Sequence, residues 1–288
     1  MDQLSTIILA GSLIIIMLGM GLSLTFGDFK RVLLYPKAIF IGLVNQIVLL
    51  PIIGFTIAYL LNLPAEIAVG IMILAACPGG PTSNLISHLA KADLALSVSL
   101  TALSSLITII TIPFIVTFAL SYFTDQGQEI ALNIPATIAQ IFIIVVIPIL
   151  IGMAIRRYAP KFAERMGKPV RIMSGLVLLL IIVGLVIKEK ENFGSYFEQA
   201  GLATLLLNVI TMFIGFYSAR LFKLGRGQAT AISIESGIQN GTLAISIAVV
   251  ILNNTAFAIA PAVYSLLMFL TGGVVIYLGS KFVSSETS

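Results

Sequence analysis

Glu235 is a carboxylate inside an otherwise apolar run, residues 229–252, that is long enough to cross a bilayer. A charge at that depth costs roughly 2.5–3.5 kcal/mol on insertion scales, so it needs partners. Ser236, Gly237, Ile238, Gln239 and Asn240 follow it and supply a hydroxyl, two amides and a glycine at which a helix can break. A broken helix frees backbone groups that protein, ions or water must satisfy. An acid, two amides and free carbonyls at membrane depth form an ion or substrate site; the alternative is a Glu that only hydrogen-bonds a neighbouring helix. A second stretch of the same kind favours the site: Cys77-Pro78-Gly79-Gly80-Pro81-Thr82-Ser83-Asn84, with no charged residue between Glu66 and Lys91. Its prolines remove amide donors and its glycines permit non-helical dihedrals. The helix is expected to stop near Ala76 and restart with Thr82 or Ser83 as N-cap.

Two half-helices starting near the bilayer midplane, at Thr82 and near Ile238, would offer unpaired amides and positive dipole ends to an anion. Glu235 and the oxygens around it suit a hard cation. Ser97 and Thr101, four residues apart, share one helix face, and Gln46 lies inside another apolar run, so these can complete a cation cage. An anion and cations held together are what a cation-coupled anion symporter needs.

The elements that must position these residues follow from composition. Of 288 residues 59% are hydrophobic and 10% charged, against about 25% charged in soluble domains, and the mean hydropathy is +1.11. An all-α integral membrane protein is expected, without a separate soluble domain. The net charge of +4 is topology information and not a nucleic-acid surface. Cys77 is the single cysteine, which excludes an intramolecular disulfide and a cysteine-based metal cluster. The first apolar run lacks a basic flank and is too long for a signal peptide, so it is expected to be a membrane helix; no transit peptide is visible, which favours a bacterial inner membrane.

Nine apolar segments are expected to span: 4–25, 38–61, 67–89, 94–123, 134–155, 170–187, 202–221, 229–252 and 256–278. Their connections place 14 of the 16 basic residues on one side, with Lys188 and Lys190 on the other. The N-terminus is then outside and the C-terminus cytoplasmic. Ile53-Gly54-Phe55 recurs as Ile214-Gly215-Phe216, and Ala58, Leu60, Leu63, Ile71 and Ile73 recur as Ala219, Leu221, Leu224, Ile232 and Ile234, always 161 residues later. Copies beginning in segments two and seven are five helices apart, an odd number, which inverts one copy relative to the other, a pattern of secondary transporters.

The run Cys77 to Asn84, then Ala95-Leu96-Ser97-Val98 with Thr101, and Glu235 with Gly237-Ile238-Gln239-Asn240 resemble the bile acid:sodium symporter family, and Gly19 to Leu24 and Gln46 with Pro51 fit too. The resemblance implies two coupled sodium ions. One would be held by Ser83, Asn84, Ser97, Thr101 and Glu235, the other by Gln46, Glu235, Gln239 and the carbonyls of Ser236 and Ile238, with Glu235 bridging both. It implies a panel domain of residues 1–30 and 126–195 and a core domain of residues 31–125 and 196–288, in which the interrupted helices cross. Substrate would bind between the domains, with Thr82 and Asn240 as its contacts, and alternating access would move one domain against the other. Met268-Phe269 stand where some bacterial members place polar residues, which implies a substrate with apolar surface.

The expected function is therefore sodium-coupled symport of an organic anion: a bile acid, a steroid sulfate, or a small carboxylate such as pantoate or pyruvate. A proton-coupled carrier is the alternative, although a proton relay has no use for the hydroxyls and amides around Glu235. An intramembrane hydrolase built on Ser87 and His88 is a weaker rival, because adjacent residues on a helix diverge by about 100°.

Overall fold

The computed structural model describes residues 3–124, 133–188 and 193–286. Among them the regular structure is helical, and one isolated antiparallel bridge pairs Gly79 with Gln239. Five helices are long and apolar enough to cross a membrane: Pro36–Leu60, Leu94–Phe123, Ile134–Tyr158, Phe197–Leu221 and Ala256–Gly279. Lys190 and the expected domain boundary between residues 125 and 126 lie outside the described residues.

α1 (Gln3–Ser23) is followed by the short α2 (Phe26–Lys30), then α3 (Pro36–Val44) and α4 (Leu50–Leu60), which a π-helical turn over Asn45–Leu49 makes continuous. α5 (Ala65–Ala76) and α6 (Pro81–Leu89) are the halves of a broken helix, and α7 (Leu94–Phe123) follows. α8 (Ile134–Ile141) joins α9 (Ile147–Tyr158) through a second π-turn, Phe142–Val146. α10 (Pro160–Lys188) and α11 (Phe193–Leu221) precede a second broken helix, α12 (Arg226–Gly237) and α13 (Gly241–Ser246), which a third π-turn, Ile247–Ile251, extends. α14 (Ile259–Glu286) is last. Two π-turns have a local cause: Pro51 and Pro148 lack an N–H and crowd the carbonyls of Ile47 and Ile144, and the widened turn makes room. α10 and α11 begin well before apolar segments six and seven, because apolarity marks the bilayer and not the helix.

Both breaks occur in the stretches singled out above, but the restarts differ from expectation. α6 begins at Pro81 with Gly80 as N-cap, not at Thr82 or Ser83. A proline needs no donor at the first helical position and its fixed φ suits it. Ser83 Oγ instead donates to Gly80 O at 2.8 Å. α13 begins at Gly241, three residues past Ile238, where Asn240 Oδ1 accepts from Leu243 N at 3.0 Å and caps the new turn. Gly79 and Gly237 are required by space and not by dihedral freedom, since no described glycine has positive φ. A methyl at Gly79 would lie 2.4 Å from Glu235 Oε2, and one at Gly237 would lie 2.0 Å from Met212 Cγ.

α1 packs along α9 and α10, while α4, α5 and α7 pack together and α11 lies along α12 and α14. The interrupted helices sit in the middle: residues 67–76 of α5 and 231–237 of α12 are buried throughout. The stretch in α5 is apolar all round, as befits a helix inside a bundle or a membrane, whereas that in α12 buries Ser233, Glu235 and Ser236 as well. The offset of 161 residues returns in the contacts. α5 and α12 start and stop 161 apart, and both follow a left-handed residue, Asn62 (φ 45°) and Lys223 (φ 61°). Leu63 N bonds Ala58 O at 3.2 Å as Leu224 N bonds Ala219 O at 3.0 Å. Gly54 abuts Ile71, Met72 and Ala75, and Gly215 abuts Ile232, Ser233 and Ser236, each shifted by 161. Beyond the third π-turn, which inserts a residue, the offset becomes 162: Lys91 (φ 53°) matches Asn253 (φ 50°).

Candidate ion-binding site at the crossing of two interrupted helices

The two breaks touch. Asn240 N donates to Pro78 O at 2.9 Å beside the Gly79–Gln239 bridge, so two extended backbone segments run antiparallel in the protein interior. Each leaves the end of one half-helix and enters the start of another, which gathers backbone carbonyls and polar side chains from distant parts of the chain.

On one side of the crossing lies the Glu235 carboxylate, buried and 3% exposed. Its Oε1 accepts from Ser83 Oγ and Ser97 Oγ, both at 2.6 Å, and its Oε2 from Thr101 Oγ1 at 2.9 Å. Asn84 Oδ1 lies 3.0 Å from Ser97 Oγ and 3.2 Å from Thr101 Oγ1. Gly80 O and Ser97 O are also within reach of these hydroxyls. Gly80 O also accepts from Ser83 N at 3.0 Å, so the three hydroxyls are left to serve the two carboxylate oxygens and Asn84 Oδ1, and among the described residues no basic side chain pairs with Glu235. A buried carboxylate ringed by oxygens and without a basic partner is matched by a small cation. The single carboxylate suits a monovalent one; no group of three or more His, Cys, Asp or Glu occurs among the described residues.

On the other side, Gln46 and Gln239 face each other. Gln46 Nε2 donates to Gln239 Oε1 at 2.7 Å and to Cys77 O at 2.9 Å. Gln239 Nε2 lies among Ser236 O at 2.9 Å, Glu235 O at 3.2 Å and Gln46 Oε1 at 3.3 Å. Here Glu235 takes part through its main-chain carbonyl, while its carboxylate lies wholly in the first cluster. Gln46 owes its position to the π-turn ahead of Pro51. Ile238 is the C-cap of α12, within the crossing. Asn240 is buried and Thr82 half-buried, one at the start of each second half-helix.

Asn208 and Tyr264, which the sequence did not single out, also converge here. Asn208 Nδ2 and Tyr264 Oη both donate to Gly237 O at 2.6 Å, and both side chains are fully buried. The available signal was an amide inside the apolar segment 202–221, of the same kind as Gln46 in segment two. The Ser87–His88 pair does not form: His88 is exposed at the end of α6, and Ser87 Oγ is buried without a hydrogen-bond partner.

A cavity of about 230 Å³ opens between α1, α2, α7 and α9, lined by Met20, Leu24, Phe29, Ser105, Ile149 and Met153 and almost wholly apolar. Toward the other end of α1, Leu13, Val145, Leu243, Ile247 and Val250 leave only about 10 Å³ between α1, α9's preceding turn and α13.

The family model described as Sodium Bile acid symporter family matches residues 10–196. The chain is 31% identical to the uncharacterized sodium-dependent transporter YocS of Bacillus subtilis, over 94% of this chain and 83% of that protein. It is 29% identical to a probable chloroplastic sodium/metabolite cotransporter of Oryza sativa subsp. japonica, covering 89% of this chain and 60% of the relative. It is 27% identical to the ileal sodium/bile acid cotransporter of Oryctolagus cuniculus, over 84% of this chain and 68% of that one.

Proposed function

The chain belongs to the sodium bile acid symporter family, and from that premise we propose that it is a symporter that couples two sodium ions to one organic anion by alternating access. The family consists of transporters and not enzymes, and its members are multi-pass membrane proteins that use sodium. The oxygen cluster on Glu235 carries the reading: it gathers a carboxylate, three hydroxyls and an amide oxygen without a basic partner, buried where the two breaks cross. In this reading Ser83, Asn84, Ser97, Thr101 and Glu235 bind one ion. Gln46, Glu235, Gln239 and the carbonyls of Ser236 and Ile238 bind the other, with the Gln46 and Gln239 amides turning their oxygens inward. Thr82 and Asn240, at the starts of α6 and α13, contact the anion, which the helix N-termini favour.

Nine spans in the inner membrane, N-terminus outside, follow from the distribution of basic residues. Residues 31–125 and 196–288 form a core domain built as an inverted repeat, supported by the contacts that recur 161 residues apart. Residues 1–30 and 126–195 form a panel domain, supported by the packing of α1 on α9 and α10. The apolar cavity between the two groups, on the side of Lys30 and Arg31, is the inward path and favours an anion with an apolar body, such as a bile acid, over a fully polar one such as pantoate. Uptake of labelled taurocholate and of labelled pantoate into proteoliposomes, with sodium or potassium outside, tests the reading. Uptake of either that needs sodium supports it; sodium-independent stability together with no sodium-driven uptake of any organic anion overturns it.

A further inference from the structure

Gly237 O is the last carbonyl of α12 before the break, and it lies between the two carbonyls, Ser236 O and Ile238 O, assigned above to the second ion. Peptide units are planar and pivot only at the Cα atoms between them. The plane that carries Gly237 O shares one Cα with the plane carrying Ser236 O and the other with the plane carrying Ile238 O, so holding it fixes one dihedral at each of those two joints. A glycine restrains that rotation least of all residues. Two donors from two other helices restrain it instead: Asn208 Nδ2 of α11 and Tyr264 Oη of α14, each 2.6 Å from Gly237 O, which together occupy both lone pairs of that oxygen. Asn208 Nδ2 also reaches Tyr264 Oη at 3.2 Å, so the two donors hold one another. Asn208 is held through its nitrogen alone, since its Oδ1 is buried with no partner. At the first break Cys77 O, which matches Ile238 O at the offset of 161, receives Gln46 Nε2, a member of the ion cluster itself.

Resting on the proposed function, we infer that Asn208 and Tyr264 are positioning residues for the second sodium ion: they hold the Gly237 peptide so that the Ser236 and Ile238 carbonyls face Gln46 and Gln239. They touch neither ion nor substrate. Their loss weakens one sodium site and leaves the Glu235 hydroxyl cluster alone.

The test is the sodium concentration at half-maximal thermal stabilisation of the purified full chain, with sodium replaced by N-methyl-glucamine at constant ionic strength. Tyr264→Phe and Asn208→Leu each remove a donor with little change of shape and no new charge, and each raises that concentration about threefold to tenfold, the size of one lost hydrogen bond. In a Gln46→Ala background Tyr264→Phe adds no further shift, whereas in a Thr101→Ala background the shift persists. Should Tyr264→Phe give no folded protein, Asn208→Ser carries the same expectation. A sodium midpoint unmoved by these variants, whatever their melting temperatures, overturns the inference, as does an equal shift in the Gln46→Ala background. A wild-type chain whose stability ignores sodium overturns the proposed function itself, which separates the two failures.

Discussion

Glu235 concentrates opposing terms on one side chain. Burial of the carboxylate is costly, and three hydroxyls offset part of that cost without neutralising the charge. Replacing Glu235 with Gln keeps the shape and removes the charge. In sodium-free buffer Glu235→Gln is expected to be at least as heat-stable as the wild type. It should lose the sodium-dependent gain, which for a single site is about 2.7 kcal/mol at a hundredfold excess over the dissociation constant. A variant that is much less stable without sodium would make the carboxylate a packing element. Ser97 and Thr101 share their spacing with Thr101 and Ser105 and with Ser104 and Thr108 in the same run, so it was their nearness in sequence to Ser83 and Asn84 that singled them out. Asn208 and Tyr264 were not legible in advance, since their meeting at Gly237 O depends on how three helices pack and on no local pattern.

At the scale of elements, the two breaks were legible from prolines, glycines and a lone acid inside spans that should have been uniformly apolar. Their restarts were not, because Pro81 as first helical residue outranks the hydroxyls at 82 and 83, and Asn240 as cap sets the second restart past Ile238. The π-turns were hidden too: a hydropathy pattern reports which side chains are apolar, not whether a turn holds one residue more. The breaks matter because they let the backbone approach the carboxylate, and at Gly79 that approach leaves no room for a side chain. Gly79→Ala should displace Glu235 Oε2 and raise the sodium requirement at least about tenfold, ~1.4 kcal/mol. Gly273→Ala, with open space around it, should leave the sodium titration unchanged. Equal titrations for the two variants would remove Gly79 from the site.

At the scale of the whole molecule, orientation and coupling are joined. Single cysteines at Lys161 and Lys223 should react only from the cytoplasmic side and one at Asn254 from outside, with little background from the buried Cys77. External labelling at Lys161 would overturn the proposed nine-span topology. Within that orientation, two sodium ions accompanied by one monovalent anion carry a net charge of about +1 inward, and the membrane potential adds about 2.3 kcal/mol per 100 mV to the drive from the sodium gradient. Uptake into proteoliposomes should therefore accelerate as potassium-diffusion potentials are set more negative inside, and should rise sigmoidally with sodium. Gln46→Ala should raise the sodium requirement through the amide cluster, and the double variant Ser97→Ala with Thr101→Ala should impair the Glu235 cluster. A rate that ignores voltage and rises hyperbolically with sodium means one coupled ion. Of the two clusters, the one whose variants leave the sodium dependence untouched is then structural. A divalent substrate would also cancel the voltage effect, but it keeps the sigmoidal sodium curve, so the shape of that curve decides between the two.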